Sequence, residues 1–401
     1  MSLDCLLENF ISYYEKDDKK KPYWDEWNFY ESLQKLDSIS NHFIKQITHQ
    51  DNFSICALSK SGTPFATLLA IKLNKPMYIF SIGEFFRSSG IPVIGAIHND
   101  KSMSVELKKI YSDNIPEKTY LIDSHIHSGQ TALLANTISF DDNFENIIAT
   151  IVIADCREKD ISDDPKIKRL GIKPFFNEQT VSTFLEKKKN ECCDDFNDKE
   201  FWTYHPAYWM DNIESFNSEK ITQKIEIKTL DPELAFIIKE KLIIKSNDKK
   251  RVIRPDLLFL LKYEDEILLN KLIKKVAYYY KTKAIDTIVA ATIAAIPLAI
   301  GIGKYLLENG AEIKFIFLSN NSPKTYEKKL KNSSNLIVID EVVLTGGLFR
   351  AVYNSFLEKT AKNVYFFSLF DNDLFPFRDH LNALSKYRNI EYLTACRLST
   401  E

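Results

Sequence analysis

The sequence predicts an α/β fold of two parallel-sheet units flanked by helices, with an N-terminal helical extension and a bridging segment. Three observations carry that expectation. Short apolar runs such as residues 146–155 do not alternate polar with apolar residues, which is how strands covered on both faces read. Most of these runs are followed by stretches of helical periodicity. The whole pattern then occurs a second time, after a charged and aromatic stretch of different character. A length of 401 residues suits two domains of ordinary size.

Along the chain, Leu6, Leu7, Phe10, Ile11 and Tyr14 fall at helix spacing, Lys19-Lys20-Lys21-Pro22 breaks it, and 24–47 resumes it through Leu33, Leu36, Ile39 and Phe43. Strands are expected at 53–58, 77–82, 119–123 and 146–155, and helices at 64–73, with Pro64 near the first turn, and 130–138. From residue 184 to 217 the pattern dissolves into charge runs with Trp202, Tyr204, Tyr208 and Trp209, too aromatic for a passive linker. A long helix over 257–280 leads into the second series. Its strands are expected at 286–291, 312–318, 336–340 and 364–370, and its helices at 297–307 and 348–357. The expected division is 1–50 for the extension, 40–185 for the first unit, 186–254 for the bridge and 255–401 for the second unit.

Composition narrows the function classes. A hydrophobic content of 45% and a charged content of 27% exclude collagen-like and wholly disordered chains. With 53 basic against 55 acidic residues, the chain as a whole does not attract nucleic acid or an anionic membrane, which leaves room only for a local basic patch. Cys5, Cys56 and Cys156 sit in apolar runs and read as small buried hydrophobes, and Cys192-Cys193 has no second pair to complete a zinc site. The first residues carry an acid and no basic region of the signal-peptide kind, and the apolar stretch 287–303 is short and interrupted by Pro297. A cytoplasmic protein without a membrane partner is expected.

The chemistry sits in two matching constellations. In each, an apolar strand meets an acid, a turn with Gly follows, and a helix starts. The first is Tyr120-Leu121-Ile122-Asp123-Ser124-His125-Ile126-His127-Ser128-Gly129-Gln130-Thr131, and the second is Leu336-Ile337-Val338-Ile339-Asp340-Glu341-Val342-Val343-Leu344-Thr345-Gly346-Gly347. Backbone N–H groups at a helix N-terminus suit an anion, and a carboxylate at a strand's carboxyl end suits ribose hydroxyls. Upstream of the first, Ser59-Lys60-Ser61-Gly62-Thr63-Pro64 offers a cation and a glycine before a helix.

Both constellations resemble the phosphoribosyl-pyrophosphate (PRPP) loop of type I phosphoribosyltransferases, and Ser59 to Gly62 resembles the pyrophosphate loop of the orotate-type members. The resemblance covers most of the chain but rests on two short motifs per half. The halves depart from the family pattern in complementary ways. Ser124 replaces the second acid in the first half. In the second, Asp340-Glu341 is intact, but the upstream loop is apolar through Ile293-Ala294-Ala295 and lacks the Lys and the Gly. Pro64 and Asp123 are 59 positions apart and Pro297 and Asp340 are 43 apart. The extra residues, including Arg87 and Lys101, fall where the family carries a loop over its site.

The resemblance implies two tandem phosphoribosyltransferase-like domains that take PRPP or a nucleotide monophosphate with Mg²⁺ and, in an enzyme, a nucleobase. It implies catalytic roles for Lys60, Asp123 and His127, with His127 either a general base near the nucleobase or only a shaper of its loop. Ligand binding would fall to Ser59, Ser61, Gly62, Ser128, Gly129, Gln130 and Thr131 in the first half. In the second it would fall to Asp340, Glu341, Thr345, Gly346 and Gly347. Asp155 and Arg157 stand at the next strand end, where the family often has an acid. His125-Ile126-His127 is also similar to the metal motif of the amidohydrolase barrel, but only His205 and His380 follow it. Two functional classes remain open. One is an enzyme displacing pyrophosphate from ribose C1. The other is a catalytically decayed nucleotide sensor or effector of the kind found in bacterial antiphage (retron-like) cassettes, docking a protein or nucleoprotein through the aromatic bridge and N-terminal helices.

Overall fold

The structure, a computed structural model, describes residues 3–16, 19–47, 52–80, 93–94, 118–140, 143–192, 196, 201, 227–244, 254–255, 268–291, 295–318, 333–343, 363–372 and 389–398. The chain divides into two compact units, Met1–Tyr204 and His205–Glu401.

The first unit opens with α1 (Leu3–Leu7), a 3-10 turn (Glu8–Phe10), β1 (Ile11–Lys16), β2 (Lys19–Trp24), α2 (Glu26–Tyr30) and α3 (Leu33–Ile44). The extension is therefore only in part helical, since β1 and β2 form an antiparallel hairpin in register Ile11 with Trp24 and Tyr13 with Pro22. Ile, Tyr and Trp favour a pleated ribbon once a partner strand is present, and a two-stranded ribbon tolerates Pro22 because one side of each strand is unpaired. Leu7 is buried, while Cys5, on another side of the short α1, is exposed, contrary to the buried role expected of it. Cys56 and Cys156 are buried as expected.

The sheet of this unit follows: β3 (Ser54–Leu58), α4 (Ser59–Leu73), β4 (Met77–Phe80), β5 (Val93–Ile94), β6 (Thr119–Ile126), α5 (Gln130–Phe140), β7 (Ile147–Asp155), α6 (Lys159–Ser162), α7 (Pro165–Arg169), β8 (Ile172–Phe176) and α8 (Glu178–Cys192). Its six strands run parallel in the order β5-β4-β3-β6-β7-β8. β3, β4 and nearly all of β7 are buried along their whole length, which is why they read as unbroken apolar runs. An open sheet of this order is not an amidohydrolase barrel. α8 continues the helical pattern to Cys192, past the residue where the sequence pattern seemed to dissolve.

The second unit contributes β9 (Ile227–Thr229), α9 (Pro232–Leu242), a two-residue pairing of β10 (Ile243–Ile244) with β11 (Arg254–Pro255), α10 (Leu268–Tyr280), β12 (Thr287–Ala290), α11 (Ile296–Glu308), β13 (Lys314–Phe317), β14 (Asn335–Val343), β15 (Asn363–Asn372) and β16 (Asn389–Leu398). Its parallel sheet has the order β13-β12-β14-β15-β16-β9. β9, from the stretch expected to bridge the units, is its edge strand. The expected helix at 348–357 and the aromatic cluster Trp202, Tyr204, Tyr208 and Trp209 lie outside the described residues. Among the described residues no helix is long and apolar enough to cross a membrane.

With the two-residue β5 and the edge strand β9 set aside, the two sheets share a core order: first strand, second strand on one side, third, fourth and fifth on the other. They also share a step. β3 stops pairing with β6 at Ala57–Ile122, while β6 continues beside β7 to Ile126–Asp155. β12 stops pairing with β14 at Ala290–Ile339, while β14 continues beside β15 to Val343–Asp371. In both units the acid, Asp123 or Asp340, is the first residue past the step.

Packing of α3 onto the first sheet is led by Phe43, 1% exposed, whose ring lies 5.7 Å from Phe65 of α4 and 6.4 Å from Phe175 of β8. Phe43→Ala is expected to lower unfolding free energy by about 3–5 kcal/mol, read as a fall in the chemical denaturation midpoint with an unchanged m-value.

Candidate functional site

The site of the first unit is built at the step between β3 and β6. In an open sheet of this order, the carboxyl ends of those two strands are where the connections depart in opposite directions, and the crevice between them takes ligands. A cavity of about 180 Å³ lies there, lined among others by Ser61, Asp123, His125, His127, Ser128, Gly129 and Thr131.

Four of the expected residues come from one tight approach. The chain leaves β3 and winds at once into α4, which starts at Ser59 rather than at Pro64. Pro64 therefore lies inside the helix, where it cannot make the bond that an N–H would give one turn back. Ser59, Lys60, Ser61 and Gly62 are therefore a helical first turn and not the loop that was expected. The side chains of Ser59 and Lys60 lie outside the described residues. Gly62 faces β6 so closely that a Cβ there would stand 2.5 Å from the Ile122 carbonyl oxygen and 3.1 Å from the Asp123 Cα. Only a residue without a side chain lets α4 lie this close.

That approach delivers the Ser61 hydroxyl, which donates to Asp123 Oδ1 at 2.9 Å, while the Ser124 N–H donates to the same oxygen at 2.8 Å. Asp123 lies inside β6 rather than at its end. Desolvation of its carboxyl raises the pKa from 3.8 to about 7, against the lowering effect of those two hydrogen bonds.

β6 then carries the half-buried His125 and His127 to the cavity. Ser124 Oγ and His125 Nδ1 share a 3.0 Å hydrogen bond, and the His125 ring lies 5.6 Å from Trp24. Among the described residues no group of three His, Cys, Asp or Glu side chains could hold a metal. Ser128 is exposed, and its hydroxyl accepts from the Gln130 N–H at 3.4 Å. Gly129 takes φ +71 and accepts the Leu133 N–H, so it starts α5. A Cβ there would stand 2.4 Å from Ile167 Cδ1. Gln130 and Thr131 form the first turn of α5, with Thr131 on the cavity.

Sequence reasoning missed the contribution of the N-terminal segment. Asp25 caps α2, accepting from the N–H groups of Trp27 and Asn28, and is itself held by the Ser12 hydroxyl at 2.7 Å. Phe10 stacks on Trp24 and Phe29 at 4.7 and 4.3 Å. So fixed, α2 donates the Tyr30 hydroxyl to the Ser61 carbonyl at 2.6 Å. Glu26, one turn earlier, is buried. Desolvation first, then the charges of Asp25 and Asp123, raise its pKa from 4.5 to about 8. The one signal in the sequence was Asp25 immediately before a helical pattern, which is an N-cap signature.

Asp155 does not reach the cavity's centre as a free acid. Arg157 forks it, with Nε to Oδ1 at 2.8 Å and Nη2 to Oδ2 at 2.7 Å. In the second unit Asp340 is buried in β14 and Glu341 follows it in the strand, its side chain outside the described residues. Thr345, Gly346 and Gly347 also lie outside them.

No family model and no curated protein matches the chain. Among solved structures, a hypoxanthine-guanine phosphoribosyltransferase from Bacillus anthracis str. 'Ames Ancestor' is 12% identical, over 33% of this chain and 79% of its own, with a TM-score of 0.24. UMP synthase from Leishmania donovani is 12% identical, over 92% of this chain and 74% of its own, with a TM-score of 0.32.

Two outcomes follow from the geometry. Gly62→Ala should cost about 1–3 kcal/mol, seen in denaturant unfolding, because backbone and not a flexible side chain must yield. Asp123 and Glu26 hold their protons more tightly folded than unfolded, so the folded chain binds more protons between their ordinary values, 3.8 and 4.5, and their raised values of about 7 and 8. Stability should therefore fall as pH rises from 5 to 8. Glu26→Gln should flatten that fall in the thermal midpoint.

Proposed function

We propose that the first unit binds a phosphorylated ribose, either PRPP or a nucleoside monophosphate, at the carboxyl ends of β3 and β6. The observation that carries the reading is the convergence of a half-buried carboxyl, Asp123, and a helix N-terminus, Gly129 to Thr131, on one cavity at the point where the sheet's strand order reverses. The first turn of α4 stands beside them. The same residues carry the resemblance to the PRPP loop of type I phosphoribosyltransferases.

In this reading Asp123 accepts the ribose hydroxyls, and the N–H groups at the start of α5 hold the 5′-phosphate. Lys60 and the first-turn N–H groups of α4 would take the pyrophosphate. Displacement breaks the bond from ribose C1 to the pyrophosphate oxygen, which leaves with the electron pair, and forms a bond from C1 to a base nitrogen. His127, on the cavity wall, would accept that nitrogen's proton. Mg²⁺ would neutralise the leaving pyrophosphate. With Asp123 the single carboxylate among the described cavity residues, its ligands would be mainly phosphate oxygens and water, as this ion prefers.

A second reading, a binding module without turnover, is favoured by two features. Asp123 Oδ1 is already engaged by Ser61 and Ser124. The cavity, at about 180 Å³, is also smaller than the roughly 300–1,000 Å³ usual for small-molecule sites.

Thermal unfolding with Mg²⁺ and PRPP tests the proposal. A ligand at 100 times its dissociation constant should stabilise by about 2.7 kcal/mol, or roughly 5–10 °C in midpoint. The shift should vanish in Asp123→Asn and shrink in Lys60→Ala. A shift that survives both and disappears in Asp340→Ala would move the site to the second unit, and no shift in the wild type would sink the proposal. Pyrophosphate release on adding a nucleobase separates the enzyme from the module.

A further inference from the structure

Tyr30 is fully buried, and its ring meets Trp27 and Phe29 edge to face at 5.9 Å each. A buried phenol hydroxyl takes a hydrogen-bond partner. This one reaches out of its own helix, 31 positions along the chain, to the Ser61 carbonyl at 2.6 Å. The turn it meets is short of one backbone bond. Pro64 has no N–H to give to the Lys60 carbonyl, so the first turn of α4 holds itself less firmly than an ordinary helix start. Gly62 fixes how near that turn lies to β6, but it has no side chain with which to fix the turn's rotation. Rotation decides whether the Ser61 hydroxyl, on the same residue as the anchored carbonyl, stays on Asp123 Oδ1, which it reaches at 2.9 Å.

We propose that Tyr30 is a positioning residue for the ribose-phosphate site: it holds the first turn of α4 in the rotation that keeps the Ser61 hydroxyl on Asp123. The proposal rests on the reading of Asp123 as the acceptor of ribose hydroxyls. A carboxylate accepts such bonds better than a carboxylic acid, and the Ser61 bond favours the carboxylate against the opposing effect of desolvation. Tyr30 thus acts on the ligand through another residue. Other groups surround the acid. Glu26 lies one turn before Tyr30 on the same face of α2, and it holds its proton chiefly through desolvation and further through the charges of Asp25 and Asp123. Burial pushes the Cys56 thiol of β3 up to about 12, with the charge of Asp123 adding to it. β7 sets the uncharged Val152 beside the acid, and His125 and His127 line the cavity. The Lys60 side chain lies outside the described residues. Removing the Tyr30 hydroxyl leaves all of these groups in the chain.

The test follows the acid itself, through the ¹³C carboxyl resonance of Asp123 in the full chain, assigned by its loss in Asp123→Asn. In the wild type it should titrate near pH 7. Tyr30→Phe keeps the ring and removes the hydroxyl, and should raise the midpoint by about 0.4–1 pH unit, the worth of one hydrogen bond. Ser61→Ala should raise it as well, and adding Tyr30→Phe to Ser61→Ala should move it no further. Mg²⁺-PRPP should bind Tyr30→Phe about 2- to 5-fold more weakly at pH 7, from the smaller carboxylate fraction, and the loss should shrink towards pH 8.5. A midpoint that Tyr30→Phe leaves in place overturns the proposal, as does a rise that simply adds to that of Ser61→Ala. A merely structural tyrosine would lower the unfolding temperature on substitution and leave the midpoint unmoved. The carboxyl signal needs no ligand, so it decides the role of Tyr30 even where Mg²⁺-PRPP fails to shift the wild type and the reading of the site falls.

Discussion

Much of the first unit is arranged around one carboxyl group withdrawn from water. A carboxylate that loses solvent must take up a proton or gain hydrogen bonds. Asp123 has both remedies in hand, a raised pKa and donors from Ser61 and Ser124. The Ser61 donor exists only because Gly62 lets α4 lie against β6. The Ser61 carbonyl in turn anchors Tyr30, and Tyr30 fastens α2 above the strand ends. α2 stands because Asp25 caps it, and Asp25 is oriented by Ser12 of the hairpin. A dependency thus runs from a backbone contact at Gly62 outward to the first residues of the chain.

The two units keep the same strand order and the same step, yet they treat the step differently. In the first unit the helix begins directly after β3, five residues ahead of its proline. In the second, α11 begins one residue ahead of Pro297. The first arrangement brings helix N–H groups and a serine hydroxyl beside the acid. Between β12 and α11 the sequence runs Ala291-Thr292-Ile293-Ala294-Ala295, without the Lys and the Gly that follow β3. The two units thus share the step, while the Lys and the Gly after the first core strand stand in the first unit alone. Fold alone does not assign function to either.

Much of the fold was legible because of how parallel sheets are buried. β3, β7, β12 and β15 are covered on both faces, so each reads as an unbroken apolar run, and boundaries fell within a residue or two. The hairpin was not legible. Leu6, Leu7, Phe10, Ile11 and Tyr14 satisfy a helical period, and the Lys-rich partner strand looks like a breaker until it is paired. β8 and β16 escaped notice for related reasons. β8 is short and contains Pro174, and β16 carries Glu391, Thr394 and Cys396 among its apolar residues. Thr394 can be buried in β16 because Ser368 of the neighbouring strand hydrogen-bonds to it, a partner far away in sequence.

By itself, the sequence determined the fold class, the repeated α/β pattern and the positions of the acids and glycines. These are properties of local pattern: hydrophobic period, turn residues, and an acid placed where a strand gives way to a helix. Tertiary structure alone decided which of those residues meet. The Ser61–Asp123 bond spans 62 positions, and the Tyr30–Ser61 bond spans 31. The protonation of Asp123 and Glu26 depends on how much water their neighbours exclude. Desolvation arises from packing that no short window of sequence contains, which is why the motif could be read in advance and its electrostatics could not.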